Sequence, residues 1–137
     1  MSSPQDSYLA VWKKQCWKCQ RIITVVMDIT EWRGPHATHS GMWKWDVSPK
    51  MIQRLVQNAN IQFRKTPDDP DGYFANVCPK CDSVQGDWFL NEDLTRFTYE
   101  SVPKNLSVLQ LKEGEVVRTF SSIPDLEKYR FKGGKPS

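Results

Sequence analysis

The sequence predicts an α+β fold in which a small antiparallel sheet carries two cysteine knuckles, with one amphipathic helix inserted between them. Three observations predict it. Runs of β-branched and aromatic residues flank two C-x-x-C pairs, Cys16/Cys19 and Cys78/Cys81. Between the pairs, apolar residues recur at helical spacing. The chain has 137 residues, enough for one modest core with little room for a second. A single domain is expected over 1–131, with a flexible tail over 132–137, where two glycines and a proline interrupt any apolar period.

Taken in order, residues 9–12 and 21–29 read as strands on either side of the first knuckle, with Ile22, Ile23, Val25 and Val26 expected in the core. Residues 31–48 have loop composition, with glycines, a proline, two histidines and the triplet Trp43-Lys44-Trp45. Ser48 followed by Pro49 marks a helix start, an N-cap with proline at the first helical position. Met51, Ile52, Leu55, Val56 and Ala59 then extend the expected helix over 49–60. The prolines and aspartates of 66–72 form a surface turn, and 73–77 returns as a strand into the second knuckle. A short strand is expected at 87–90. Residues 106–111 and 116–120 flank Lys112-Glu113-Gly114-Glu115 as a hairpin, and 123–129 is expected to hold a terminal helical turn.

Two residues between cysteines let a tight turn present both thiolates to one ion. Two such turns complete a tetrahedral S₄ shell, the donor set that suits Zn²⁺. Cys16, Cys19, Cys78 and Cys81 are therefore the expected ligands of one structural zinc per chain. Positions 20 to 77 separate the two pairs, so the metal would join distant parts of the chain. Four thiolates leave no open coordination position, which argues against water activation at the ion. An Fe–S cluster also accepts four cysteines, and a redox dithiol needs only one of the pairs. His36 and His39 form H-x-x-H, but without a neighbouring acidic ligand they make a poor second metal site.

The segments Cys16-Trp17-Lys18-Cys19, Asn76-Val77-Cys78-Pro79-Lys80-Cys81 and Gln85-Gly86-Asp87-Trp88-Phe89-Leu90 resemble an uncharacterised group of bacterial and phage zinc-ribbon-like proteins. The resemblance spans about the first two-thirds of the chain. It implies zinc, a bacterial or phage origin and a zinc-ribbon-like architecture, and it carries over no activity. Where such knuckles commonly place glycine after the second cysteine, this chain has Gln20 and Asp82. Aspartate tolerates a left-handed backbone better than glutamine, so distortion is expected at the first knuckle.

Net charge is +3, but residues 66–101 hold eight acids against two bases, a net of −6 that leaves +9 on the remainder. Such asymmetry suits a polarised surface. Trp12, Lys13, Lys14, Trp17, Lys18 and Arg21 interleave cations and aromatics around the first knuckle, as surfaces that bind single-stranded nucleic acid do. The plainer reading of the same residues is core aromatics and solvated lysines. Lys50 and Arg54 fall on the polar stripe of the expected helix and could follow phosphates, or serve solubility. Trp43 and Trp45 would share one side of an extended segment and could anchor a protein partner.

No nucleophile with a base, no carboxylate pair near a histidine and no phosphate-cradling glycine loop occurs at meaningful spacing. The expectation is a non-enzymatic binding module for nucleic acid, with a protein-binding adaptor or inhibitor as the alternative. No apolar run is long enough to span a membrane and the N-terminus has no signal-like core, so a cytoplasmic protein that does not engage membranes is expected.

Overall fold

The computed structural model describes residues 7–29, 31–33, 36–38, 48–99, 105–122 and 125. In chain order the elements are β1 (Ser7–Gln15), β2 (Ile22–Ile29), β3 (Glu31–Arg33), β4 (His36–Thr38), α1 (Pro49–Leu55), β5 (Ile61–Arg64), β6 (Tyr73–Val77), β7 (Val84–Gln85), α2 (Asp87–Tyr99), β8 (Ser107–Lys112) and β9 (Glu115–Phe120). The architecture is α+β with small antiparallel sheets: a four-stranded one ordered β2-β1-β8-β9, a three-stranded one ordered β5-β6-β7 and the ribbon β3-β4.

Period-two alternation along β1 explains how the main sheet is covered on both faces. Tyr8, Ala10 and Trp12 point to one side and pack with Ile23, Val25, Met27 and Ile29 of β2 against Leu90, Leu94 and Phe97 of α2. Leu9 and Val26 point to the other and pack with Ile52 and Val56, from α1 and its end, and with Ile61 of β5. A strand covered on both faces needs apolar residues at nearly every position, which is why β2 reads Ile-Ile-Thr-Val-Val-Met-Asp-Ile. Ile22 departs from the expected core run. It opens the strand beside the knuckle and is exposed.

The start of α1 follows the sequence expectation: Pro49 occupies the first turn and the Ser48 hydroxyl accepts from the Met51 N–H at 3.2 Å. The helix ends at Leu55, earlier than expected. Val56 is already extended at φ −113° and ψ 110°, and Asn58 adopts a left-handed φ of 72° that turns the chain toward β5. Strand β5, which no sequence expectation covers, pairs antiparallel with β6. At the turn into β6, Gly72 has φ 87°, and a Cβ there would lie 2.5 Å from the Phe63 ring, so both backbone and space require glycine.

The expected strand at 87–90 is the first turn of a helix, a second one in addition to α1 among the described residues. Leu90, Leu94 and Phe97 recur at positions i, i+4 and i+7, and all three are buried. That period becomes visible only when the window runs past Leu90. The β8–β9 hairpin forms as expected, with Glu113 and Gly114 at φ 54° and 82° supplying the two left-handed residues of its tight turn. Trp43, Trp45, His39, the tail and all of the expected 123–129 turn except Asp125 lie outside the described residues.

Candidate metal centre

Each cysteine pair sits where one antiparallel strand passes to the next. Cys16 follows β1 and the chain returns as β2; Cys78 follows β6 and the chain returns as β7. The two turns are built alike. The Cys16 N–H donates to the Arg21 carbonyl at 2.8 Å and the Gln20 N–H to the Cys16 carbonyl at 2.9 Å. In the second knuckle, Cys78 donates to the Ser83 carbonyl at 2.9 Å and Asp82 to the Cys78 carbonyl at 2.9 Å. Gln20 and Asp82 take φ of 66° and 68°. The distortion expected at Gln20 is therefore absent, because the same closing hydrogen bonds impose the left-handed conformation on both residues.

The four cysteines are free thiols whose sulfurs all lie within 4.8 Å of one another. The Cys16–Cys81 and Cys19–Cys78 sulfurs are each 3.6 Å apart, too far for a disulfide, which needs about 2.0 Å. A tetrahedral ion with Zn–S bonds of about 2.3 Å holds its sulfurs about 3.8 Å apart. Donor type, number and spacing thus fit one metal ion.

Backbone and side-chain N–H groups surround the sulfurs. The Lys18 N–H approaches Cys16 Sγ at 3.4 Å, and its counterpart, the Lys80 N–H, approaches Cys78 Sγ at 3.4 Å. The Cys81 N–H approaches Cys78 Sγ at 3.5 Å, and buried Gln85 donates Nε2 to Cys16 Sγ at 3.4 Å and to the Ser83 carbonyl at 3.0 Å. Burial raises Cys16, but the N–H groups of Cys19 and Lys18, with Cys81 and Gln85, outweigh it and bring the thiol down to about 6. For Cys19 the Arg21 backbone contact lowers the pKa, yet burial and the thiols of Cys78, Cys16 and Cys81 prevail and push it up to about 11. The Ser83 hydroxyl lowers Cys81. Sulfurs crowded this closely ionise together readily only around a cation.

The basic and aromatic residues around the first knuckle divide between core and surface. Trp12 is only 2% exposed and packs edge-on to Phe97 at 5.3 Å, so its ring is a core element and not a partner contact. Lys14, on the same side of β1, forms a 2.7 Å ion pair with Asp93 of α2. Lys13, Lys18 and Arg21 are exposed, as are Lys50 and Arg54 on α1. Trp17 is 66% exposed, and its indole Nε1 donates to the Val84 carbonyl at 2.8 Å, tying the first knuckle to the strand after the second.

Beside the first knuckle lies a groove of about 740 Å³. Its charged lining residues are Lys13, Arg21 and Lys80, and Gln20, Asn58 and Asn60 add polar groups. Lys80 and Gln85 were not singled out from the sequence. The repeated Lys before the second cysteine, in Cys-Trp-Lys-Cys and Cys-Pro-Lys-Cys, is the signal that would have flagged Lys80. Compared with known protein families, curated proteins and solved structures, the chain finds no match.

Proposed function

We propose that this protein is a non-enzymatic module built on one structural Zn²⁺ and that it binds nucleic acid across the face beside its first knuckle. The observation that carries the partner assignment is the groove, in which Lys13, Arg21 and Lys80 converge and, among the described residues, no acidic side chain contributes to the lining. Lys13 comes from β1, Arg21 from the residue just before β2 and Lys80 from the tip of the second knuckle, so the metal would hold in register cations from the two knuckles. Such a surface attracts a phosphodiester chain by charge and by release of its counterions. Lys18, exposed at the knuckle tip, extends the same positive face.

Zinc is the preferred ion because the four sulfurs stand about as far apart as a single tetrahedral ion requires. An Fe–S cluster, with its irons displaced from the centre, would hold them farther apart. With all four positions taken by thiolate, the ion supports the fold and leaves no site for chemistry.

The test is metal content on freshly purified protein, followed on the same sample by fluorescence anisotropy with labelled oligonucleotides across a salt series. One zinc per chain is expected. If three phosphates are engaged on a single strand, affinity should fall about 20-fold between 50 and 200 mM salt. Replacing Lys13, Arg21 and Lys80 together by Ala should remove that dependence with little change in melting temperature. A folded, zinc-loaded protein that binds no oligonucleotide at low salt would move the assignment to a protein partner.

A further inference from the structure

Also beside the first knuckle, a smaller cleft of about 200 Å³ opens between Trp17 and Phe89, with Gly86 and Leu90 in its lining. Trp17 and Phe89 are 66% and 61% exposed, leaving two large aromatic surfaces in water at one site. Both rings stand on anchored backbone. The Trp17 indole is held by the Val84 carbonyl at 2.8 Å, and Phe89 lies in the first turn of α2, where the Leu90 N–H bonds to the Gly86 carbonyl at 3.2 Å.

We infer that this cleft receives one unpaired nucleobase, stacked against Trp17 and Phe89, which makes single-stranded nucleic acid the ligand. The inference rests on the nucleic-acid reading of the adjoining groove and adds the class of strand. Three features support it. The volume has room for one heterocycle and not for a base pair. The cleft is almost wholly apolar, and two of its polar neighbours are engaged elsewhere: Gln85 with Cys16 Sγ and the Ser83 carbonyl, Lys14 with Asp93. Stacking of that kind tolerates any base, since every base has a π-face. The third feature is continuity of charge. One knuckle carries Trp17 to the cleft and Gln20 and Arg21 to the groove, with exposed Lys18 between them. A strand with its base in the cleft therefore passes its phosphates over cations. Asp93, the partner of Lys14 from the cleft lining, is offset by Lys14 at 2.7 Å and Arg96 at 3.7 Å.

The experiment compares, on the zinc-loaded full chain at fixed salt, a labelled oligothymidine with an abasic strand of the same length and charge. Wild-type protein is expected to bind oligothymidine about tenfold more tightly, the preference that one good stack confers. Phe89→Ala should erase the preference while leaving salt-dependent binding to both strands, and Phe89→Tyr should restore it. Equal binding of the two strands by wild type, or a preference that survives Phe89→Ala, overturns the base site and leaves the groove reading standing. Failure to bind either strand overturns both.

Discussion

The side chain of Asn76 pairs with both backbone groups of Val26, its Oδ1 accepting from the N–H at 2.9 Å and its Nδ2 donating to the carbonyl at 2.9 Å. Val26 lies on β2, the outer strand of the four-stranded sheet, and Asn76 lies on β6, two residues before Cys78. One carboxamide thus does for β2 what a neighbouring strand would do, and it joins the main sheet to the strand that delivers the second knuckle. Both residues are buried, so water cannot replace the bonds.

Asn76→Ala should therefore destabilise the fold strongly. Leaving a buried N–H and a buried carbonyl without partners costs about 1–3 kcal/mol each, and a loss near 3 kcal/mol in denaturant unfolding is expected. Asn76→Asp should be no milder at neutral pH, because its carboxylate faces the Val26 carbonyl with no proton to donate. A loss under about 0.5 kcal/mol for Asn76→Ala, within the range of ordinary surface substitutions, would show that the two sheets are held together by other means.

The metal should matter unequally across the fold. Sheet β2-β1-β8-β9 is packed on both faces, by one core that the cysteines join as a minority and by another without them, whereas the short strands β6 and β7 have the cysteine cluster, Asn76, the Trp17–Val84 bond and β5 among their contacts with the rest of the chain. Cys78→Ser, or a chelator on the native chain, is expected to abolish zinc binding and to speed amide exchange across 73–85 by at least tenfold more than across β1 and β8. Uniform acceleration of all strands would mean that the main sheet also depends on the ion.

The cysteine site was legible because spacing alone specifies it: two C-x-x-C turns have few uses other than to gather four thiolates. The hairpin at Glu113 and Gly114 was legible for a similar reason, since local backbone chemistry decides it. What the sequence hid was set by tertiary context. Trp12 reads as part of a basic, aromatic surface, yet alternation with Tyr8 and Ala10 carries it under α2. The same alternation separates its neighbours, sending Lys14 to Asp93 and Lys13 to the groove. Helix α2 was hidden because Trp88, Phe89 and Leu90 look like a strand until Leu94 and Phe97 are counted with them. The Asn76–Val26 bond, between residues 50 positions apart, has no sequence signature at all.

The residues that close the two knuckles give a paired comparison. Gln20 and Asp82 occupy nearly the same left-handed conformation, at φ 66° and 68°, which favours glycine by about 1 kcal/mol over most side chains. Gln20→Gly should stabilise the zinc-loaded protein by about that amount. Asp82→Gly should gain less, because Asp82 also receives both terminal nitrogens of Arg64, at 2.6 and 3.1 Å, and that pair is lost. Equal gains in thermal unfolding at the two positions would show that the exposed Arg64–Asp82 pair contributes nothing measurable.

Gln85 connects the cysteine cluster to the site proposed for a base. Its Nε2 donates to Cys16 Sγ while its backbone follows Val84, whose carbonyl holds the Trp17 indole. Hydrogen bonds from outside the ligand shell to a metal-bound group commonly change affinity by about 10–100-fold when removed. Gln85→Met keeps the volume of the side chain and deletes the N–H donor. It should weaken zinc binding about tenfold, as read by competition with a chromophoric chelator, while the circular dichroism of the saturated protein stays unchanged. Unaltered zinc affinity would assign Gln85 to packing alone. Weaker zinc together with a weakened preference for oligothymidine over the abasic strand would show that the ion's outer shell also positions the aromatic cleft.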